Sequence, residues 1–202
     1  MNLSITFIRK VKPIIFLLLI MPSFFWFYIY FQGNFGVNPI DNLMDELGRF
    51  SLKLIILTIL ISQLSKYKSL RSLQELRRMI GLFAFFYISL HFLTYIILDH
   101  FFNFEFILKD ITKRPFITLG FVSFILLLPL ALTSTNYMLK KITFKIWKRI
   151  HYGIYIAAPL ASLHFFLLKK ADKTEPLIYL IIIFLLLIWR ILFMIKKTNL
   201  RF

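Results

Sequence analysis

Long apolar runs alternate with short polar segments along the chain. We place the runs at residues 11–31, 47–64, 79–98, 115–134, 148–168 and 175–194. Each is close to the roughly 20 residues that an α-helix needs to cross the hydrocarbon core of a bilayer. The alternation therefore predicts an all-α integral membrane protein, built as a bundle of about six transmembrane helices.

The polar connections between these runs are short. The two longest, residues 32–46 and 99–114, are too small to fold into a domain of their own. The first apolar run follows basic residues, as in a signal peptide, but it continues through aromatic residues without a small-residue cleavage site. We therefore expect a retained first helix and a single transmembrane domain over residues 1–202.

Composition and charge narrow the class. Hydrophobic residues make up 59% of the chain, and the mean hydropathy is +0.79, which is too apolar for a soluble domain. A net charge of +16 is also typical of nucleic-acid binding. Here, however, the basic residues cluster in the short segments between apolar runs, as the positive-inside rule describes. We therefore expect membrane lipid as a partner and no nucleic acid.

The same clustering predicts an orientation. The segments 1–12, 65–78, 135–149 and the tail from Arg190 together carry 17 of the 25 Lys and Arg residues. Cytoplasmic segments are enriched in these residues. Both termini are therefore predicted to be cytoplasmic, and the connection 99–114 is predicted to lie on the outer side.

Three histidines lie inside apolar runs: His91, His151 and His164. Ionisable side chains are costly inside a bilayer, so each is a candidate functional residue. The chain has no cysteine, which excludes disulfides, iron–sulfur clusters and thiolate zinc sites. Redox chemistry here must use histidine, porphyrin or flavin, and three buried histidines favour iron held in porphyrin.

The depths of these histidines predict two redox centres. The 13 residues from His151 to His164 correspond to a helical rise of about 20 Å, against a hydrocarbon core of about 30 Å. In the predicted orientation, His91 and His164 lie in the outer half and His151 lies near the cytoplasmic face. We predict that His91 and His164 bind one outer heme iron from opposite sides, and that His151 binds an inner heme iron.

The inner site has no evident second histidine. Arg77 lies 14 residues before His91 and returns to nearly the same helix face. It is a candidate neighbour of the inner heme, pairing with a propionate. His151 and His164 fall about 140° apart on an ideal helix, and we expect a kink at Pro159 to change that angle.

Simpler interpretations stay open for these residues. A histidine in a membrane helix can be a packing residue bonded to a backbone carbonyl, and Arg77 and Arg78 can be interfacial anchors. His100, in an outer connection, is expected to be solvated and to have no ligand role. Three glycines are expected to allow close helix packing or porphyrin approach: Gly81, Gly120 and Gly153.

Four segments within residues 77–168 carry a family resemblance: RRMIGLFAFFYISLHFLTYIILDH, KRPFITLGF, LPLALTSTN and WKRIHYGIYIAAPLASLHFFLL. They resemble the heme-binding membrane subunits of bacterial periplasmic protein-methionine-sulfoxide reductases, the MsrPQ type. That family belongs to the ferric-reductase-like transmembrane group, which is related to the heme core of NADPH oxidases.

The resemblance implies heme-ligand roles for His91, His151 and His164. In the wider group two helices usually each carry two histidines. Here the third run carries only His91, and Arg77 or Arg78 stands at the place of the missing one. The implied cofactor is heme b, at least one and by the depth argument two. FMN has also been attributed to the family, and the sequence shows no motif for it.

The resemblance further implies an electron-transfer subunit that is not itself catalytic. An iron with two imidazole ligands has no open site, so it passes electrons without binding substrate. Electrons would come from the quinone pool or a cytoplasmic flavin reductase and cross the bacterial inner membrane. They would leave to MsrP, a periplasmic molybdopterin enzyme that reduces methionine sulfoxide and so repairs oxidised proteins.

Two other functions stay open at the level of sequence. A different di-heme cytochrome b or a ferric reductase, serving another redox partner, would use the same histidine positions. A transporter or structural membrane protein would carry no redox group and would purify colourless.

Overall fold

The computed structural model describes the backbone of residues 4–199 and the side chains of residues 4–196. Every regular element in this part of the chain is helical. The α-helices are α1 Ile5–Phe31, α2 Pro39–Leu64, α3 Gln74–Thr94, α4 Phe104–Lys113, α5 Pro115–Leu132, α6 Asn136–Lys141, α7 Phe144–His151, α8 Ile154–Leu168 and α9 Thr174–Asn199. A 3-10 helix, Lys68–Leu73, leads into α3, and a π-helical turn, Tyr95–Asp99, follows it.

Among the described segments, six are long and apolar enough to cross a membrane: Ile5–Phe31, Pro39–Leu64, Lys68–Asp99, Pro115–Leu132, Phe144–Leu168 and Thr174–Lys196. Each contains or closely matches one of the predicted apolar runs. The predicted fold class, an all-α membrane bundle of six transmembrane helices, is therefore confirmed. The cytoplasmic placement of both termini stays a prediction.

Helix α2 begins earlier than the apolar pattern predicts. It starts at Pro39, whose fixed φ angle suits the first turn of a helix. Leu43 and Leu47 are fully buried, while charged residues occupy the other faces of these turns. The predicted connection 32–46 is therefore partly helical. Its mixed composition hides the helix from a hydropathy scan, because only one face is apolar.

The connection 99–114 also contains a helix. The side chain of Asn103 caps α4 by accepting a hydrogen bond from the backbone N–H of Phe106 at 3.2 Å. In the preceding turn Phe101 and Phe102 adopt positive φ angles of 45° and 60°, a left-handed conformation that is uncommon for bulky residues. α4 then packs against α5.

Two helix pairs form the centre of the bundle. α2 packs along α3 and α5 packs along α8, while α1 lies against α2 and α3, and α9 lies against α8 and α2. Buried hydrogen bonds join neighbouring helices: the Tyr87 hydroxyl donates to the Leu19 carbonyl at 2.6 Å, and the Ser123 hydroxyl donates to the Ala157 carbonyl at 2.9 Å. Polar contacts of this kind help membrane helices to associate, since lipid gives little hydrophobic driving force.

The fifth membrane span is interrupted between its two histidines. α7 ends at His151, a turn occupies Tyr152 and Gly153, and α8 continues through Pro159 without interruption. The interruption of the span thus lies at Tyr152 and Gly153, and the expected kink at Pro159 stays a prediction. A side chain at Gly153 would lie 3.1 Å from the Ile150 carbonyl oxygen and 3.4 Å from Leu130 of α5. The close approach of α5 at this turn thus suits glycine.

Candidate functional site

His91 on α3 and His164 on α8 meet at the interface of the two central helix pairs. Their ring centroids lie 6.2 Å apart, with the ring planes at 78°. An imidazole nitrogen lies about 2 Å from a bound metal ion and about 1 Å from the centre of its ring, so two rings on opposite sides of one ion have centroids about 6 Å apart. The observed separation fits two imidazoles on one metal ion.

A backbone carbonyl of the partner helix orients each of these rings. His91 Nδ1 lies 2.9 Å from the Met44 carbonyl oxygen on α2, and His164 Nδ1 lies 2.7 Å from the Phe116 carbonyl oxygen on α5. Because a carbonyl oxygen only accepts, Nδ1 must carry the proton in both rings. Nε2 is then unprotonated, which is the form that binds a metal.

A glycine lies beneath each ring. A Cβ atom at Gly48 would be 3.1 Å from His91 Nδ1, and one at Gly120 would be 2.9 Å from His164 Nδ1. Each glycine comes four residues after the carbonyl that orients its histidine, so the two sites repeat one arrangement. The absence of a side chain allows each imidazole to lie directly on the backbone of the neighbouring helix.

The two histidines line a cavity of about 460 Å³, which we call the outer cavity. Its volume is in the range of sites for small organic ligands and cofactors. Apolar residues line the part toward the middle of the bundle: Leu52, Ile55, Ile88, Phe92, Phe121 and Phe124. Charged residues at the helix ends line the other part: Asp41, Asp45, Arg49, Asp99, Asp110, Arg114 and Lys169.

The described residues include no group of three or more His, Asp or Glu side chains placed to hold a metal ion. The facing pair would supply two imidazole ligands to a metal ion bound between the rings. An iron in porphyrin needs two axial ligands and receives the others from the macrocycle. The facing pair within an amphipathic cavity thus fits a porphyrin better than a bare ion.

His151 lies in a second cavity, of about 410 Å³, which we call the inner cavity. Arg77 lines the same cavity, and Ile55 and Ile88 line both, so the two cavities are neighbours along the bundle. The structure therefore brings His91 together with His164, and His151 together with Arg77. It places no second histidine beside His151 among the described residues that line the inner cavity.

Both ring nitrogens of His151 have partners. Nδ1 lies 3.0 Å from the Trp147 carbonyl oxygen, and Nε2 lies 3.2 Å from the Ser134 hydroxyl. The ring stacks on Trp147 at 3.9 Å between centroids, and the Arg77 guanidinium lies 5.8 Å from the Trp147 ring. As in the other two histidines, Nδ1 faces a carbonyl and carries the proton of the neutral ring, and Nε2 accepts from the Ser134 hydroxyl.

His100 is not solvated as predicted, because its side chain is only 14% exposed. Its Nδ1 lies 3.1 Å from an Asp99 oxygen, and its Nε2 lies 3.3 Å from an Asp110 oxygen. The ring also packs on Tyr95 at 4.4 Å. The contact with Asp110 depends on the position of α4, which sequence reasoning did not foresee.

Sequence reasoning also missed parts of the site. It noted Gly120 as a glycine for close packing, but it overlooked Gly48, which stands at the start of an apolar run. The carbonyls of Met44 and Phe116 carry no residue-specific signal, since every residue has one. The four-residue spacing from each carbonyl to its glycine is recognisable only once the neighbouring histidine is known.

Comparison with protein families agrees with this architecture. The family model described as "Ferric reductase like transmembrane component" matches residues 47–162. This stretch includes His91 and His151, most of the four central helices and both glycines beneath the rings. The fold and this match define a transmembrane protein of the ferric-reductase-like class.

Curated relatives narrow the class. The chain is 42% identical over 161 residues to a protein of Caulobacter vibrioides, which covers 80% of this chain and 77% of the relative. It is 39% identical over 191 residues to a protein of Herminiimonas arsenicoxydans, an alignment that covers 94% of this chain and 88% of the relative. It is 38% identical over 193 residues to a protein of Azospira oryzae, an alignment that covers 95% of this chain and 83% of the relative. All three are named protein-methionine-sulfoxide reductase heme-binding subunit MsrQ. The chain therefore belongs to the MsrQ family, and the family resemblance in its sequence is confirmed.

Proposed function

We propose that this chain is the heme b subunit of a protein-methionine-sulfoxide reductase and that it carries electrons across the bacterial inner membrane. The observation that supports this most directly is the facing pair of His91 and His164, each with its Nδ1 proton on a backbone carbonyl. The names of the relatives agree with it. In this role the chain itself reduces no sulfoxide.

His91 and His164 are proposed as the two residues that would hold the iron of an outer heme. A heme bound there would supply reversible one-electron chemistry. The carbonyls of Met44 and Phe116 hold each ring in one orientation and make Nε2 a more basic metal ligand. The apolar walls of the outer cavity keep water away from the metal, which helps to set its potential.

His151 is proposed as the residue that would hold the iron of an inner heme through its Nε2. Arg77 lines the same cavity, and its guanidinium has the charge and geometry to pair with a propionate. The inner and outer cavities share Ile55 and Ile88, so groups held in them would lie close enough to exchange electrons in series.

The direction of transfer follows from the predicted orientation. With both termini cytoplasmic, the inner cavity would face the electron donor, quinol or a cytoplasmic flavin reductase, and the outer cavity would face the acceptor. The acceptor is a periplasmic molybdopterin subunit that reduces methionine sulfoxide in oxidised proteins. This assignment makes the chain a part of protein repair.

The test begins with the colour of the full chain, purified in detergent from heme-replete cells. A reduced-minus-oxidised spectrum should show b-type bands, and heme quantification should give about two hemes per chain. A folded, colourless protein would contradict the proposal. The dithionite-reduced chain should then be reoxidised by the periplasmic subunit together with methionine sulfoxide. Reoxidation by the subunit without sulfoxide, to the same extent, would argue against delivery of electrons to that reaction.

A further inference from the structure

The inner cavity is strongly basic, unlike the outer one. Four cationic side chains line it: Arg77, Arg78, Lys148 and Arg190. No Asp or Glu stands among the described residues that line this cavity, whereas four aspartates line the outer cavity. A charge held inside a membrane bundle is costly unless it is paired. The inner cavity therefore lacks the negative charge that would compensate its cations.

Two of these four cations are poorly placed for solvation by water. Arg78 and Lys148 are exposed, whereas Arg77 on α3 and Arg190 on α9 are half-buried. Within the described part of the chain, Arg77 and Arg190 form no hydrogen bond or ion pair. Their charges lie close enough to act on each other, and like charges repel. The free energy cost of the basic cavity thus falls mainly on this arginine pair.

The terminal nitrogens of the arginine pair are accessible. Arg190 Nε is buried without a partner, but no other guanidinium nitrogen of the two residues is both buried and unpartnered in the described part of the chain. Because these other nitrogens have no hydrogen-bond partner there, they must reach open space. Both residues line the inner cavity, so a ligand in the cavity can accept hydrogen bonds from them.

The chain has no carboxylate side chain to offer this pair. Glu75 is the one acidic residue in the segments predicted to be cytoplasmic, and it pairs with Arg9 at 3.3 Å. The compensating charge must therefore come from a ligand. Two neighbouring guanidiniums suit a ligand with two carboxylates, since arginine matches the geometry of that group. Ile55 and Leu127 line the same cavity, so the rest of the ligand should be apolar.

We propose that Arg190 acts together with Arg77 to bind the two propionate carboxylates of the inner heme. The inference rests on the proposed function, because it requires a heme held by His151. Trp147 connects the arginine pair with that histidine: Arg77 lies 5.8 Å from the Trp147 ring, and the same ring stacks on His151. Arg190 lies outside residues 47–162, the stretch that the family model matches.

The experiment compares protoheme with its dimethyl ester, in which both carboxylates are blocked. The full chain with His91→Ala and His164→Ala, made in heme-deficient cells, is titrated with each compound so that the signal reports the inner site. We expect protoheme to bind at least about tenfold more tightly than the ester, since one charge-assisted hydrogen bond contributes that much. Arg190→Gln should lower this preference severalfold by weakening the binding of protoheme alone. Arg190→Lys, which keeps the charge, should retain more of the preference.

Lys66→Gln is the matched control for the loss of one positive charge. Lys66 is near enough to Arg190 for the two charges to interact, but it does not line the inner cavity. The control should therefore keep the preference for protoheme. A loss as large as that in Arg190→Gln would show a general effect of charge and would overturn the proposal. Weaker binding of both compounds to the same extent in Arg190→Gln would indicate a structural role and would also overturn it.

The remaining outcomes separate this inference from the proposed function. If Arg77→Gln lowers the preference and Arg190→Gln leaves it unchanged, the role of Arg190 is refuted and the proposed function stands. Equal binding of protoheme and ester by the starting chain would refute the arginine pair but keep the inner heme. Binding of neither compound by the folded chain would contradict the inner heme itself. If Arg190→Gln does not fold, Arg190→Met replaces it, because methionine keeps an unbranched side chain without the charge.

Discussion

The glycine beneath His164 offers a sharp test of the proposed outer site. In Gly120→Ala the new methyl group would lie 2.9 Å from His164 Nδ1 and 3.1 Å from its Cγ and Cε1. Contacts this short force the imidazole away from α5. The movement would break the 2.7 Å hydrogen bond to the Phe116 carbonyl and take Nε2 away from its position opposite His91.

The size of the effect can be estimated from these two losses. Overpacking in a well-packed interior costs about 1–3 kcal/mol, and a lost neutral hydrogen bond costs about 1 kcal/mol. Together they amount to about 3 kcal/mol, which corresponds to about 100-fold weaker binding of the outer heme. Gly48→Ala should have a smaller effect, because its methyl group would lie 3.1 Å from His91 Nδ1 and the ring would need to shift less.

Gly81→Ala is the matched control for the outer site, because Gly81 lines the inner cavity and not the outer one. Its methyl group would meet Thr58 Cγ2 at 3.5 Å, an ordinary contact, in the interior of α3. All three substitutions gain helix propensity of about 1 kcal/mol, so the difference between them reports the contact with the ring. The assay is the affinity of the outer heme, measured by titration in the His151→Ala chain. If Gly120→Ala keeps its outer heme as well as Gly81→Ala does, the role assigned to the ring on Gly120 is wrong.

Three further predictions concern the ligands, the orientation and a surface lysine. His91→Ala and His164→Ala should each remove the same outer heme, whereas His151→Ala should affect the inner one; spectroscopically different losses in the first two would refute their pairing. Reporter fusions at α4 should behave as periplasmic and those at α6 as cytoplasmic, and the reverse would invalidate the direction of electron transfer. Burial, and next the charge of Arg190, lower the pKa of Lys66 to about 8. The unfolded chain therefore binds more protons above that pH, and thermal stability should rise from pH 8 toward pH 10 in the original chain but not in Lys66→Gln.

The class of protein could be derived from the sequence because its signals are local. The length of an apolar run decides whether a helix can cross a bilayer, and this needs no knowledge of neighbouring helices. The absence of cysteine and the presence of histidines within apolar runs are also local signals. They restricted the possible redox groups to those that need no thiolate ligand. Amphipathic segments were not predicted from the sequence. The first turns of α2 and all of α4 were assigned to polar connections, because only one face of each helix is apolar.

Only the tertiary structure decided how the histidines are held. Depth along the helices put His91 and His164 at one level, but the carbonyl and glycine under each ring lie on another helix, far away in sequence. The burial of His100 against Asp110 likewise depends on the packing of α4, and the helix break at Tyr152–Gly153 lies where α5 comes close. Hydropathy and charge depend on a residue's own run, whereas ring orientation and nitrogen protonation depend on the atoms that packing brings alongside.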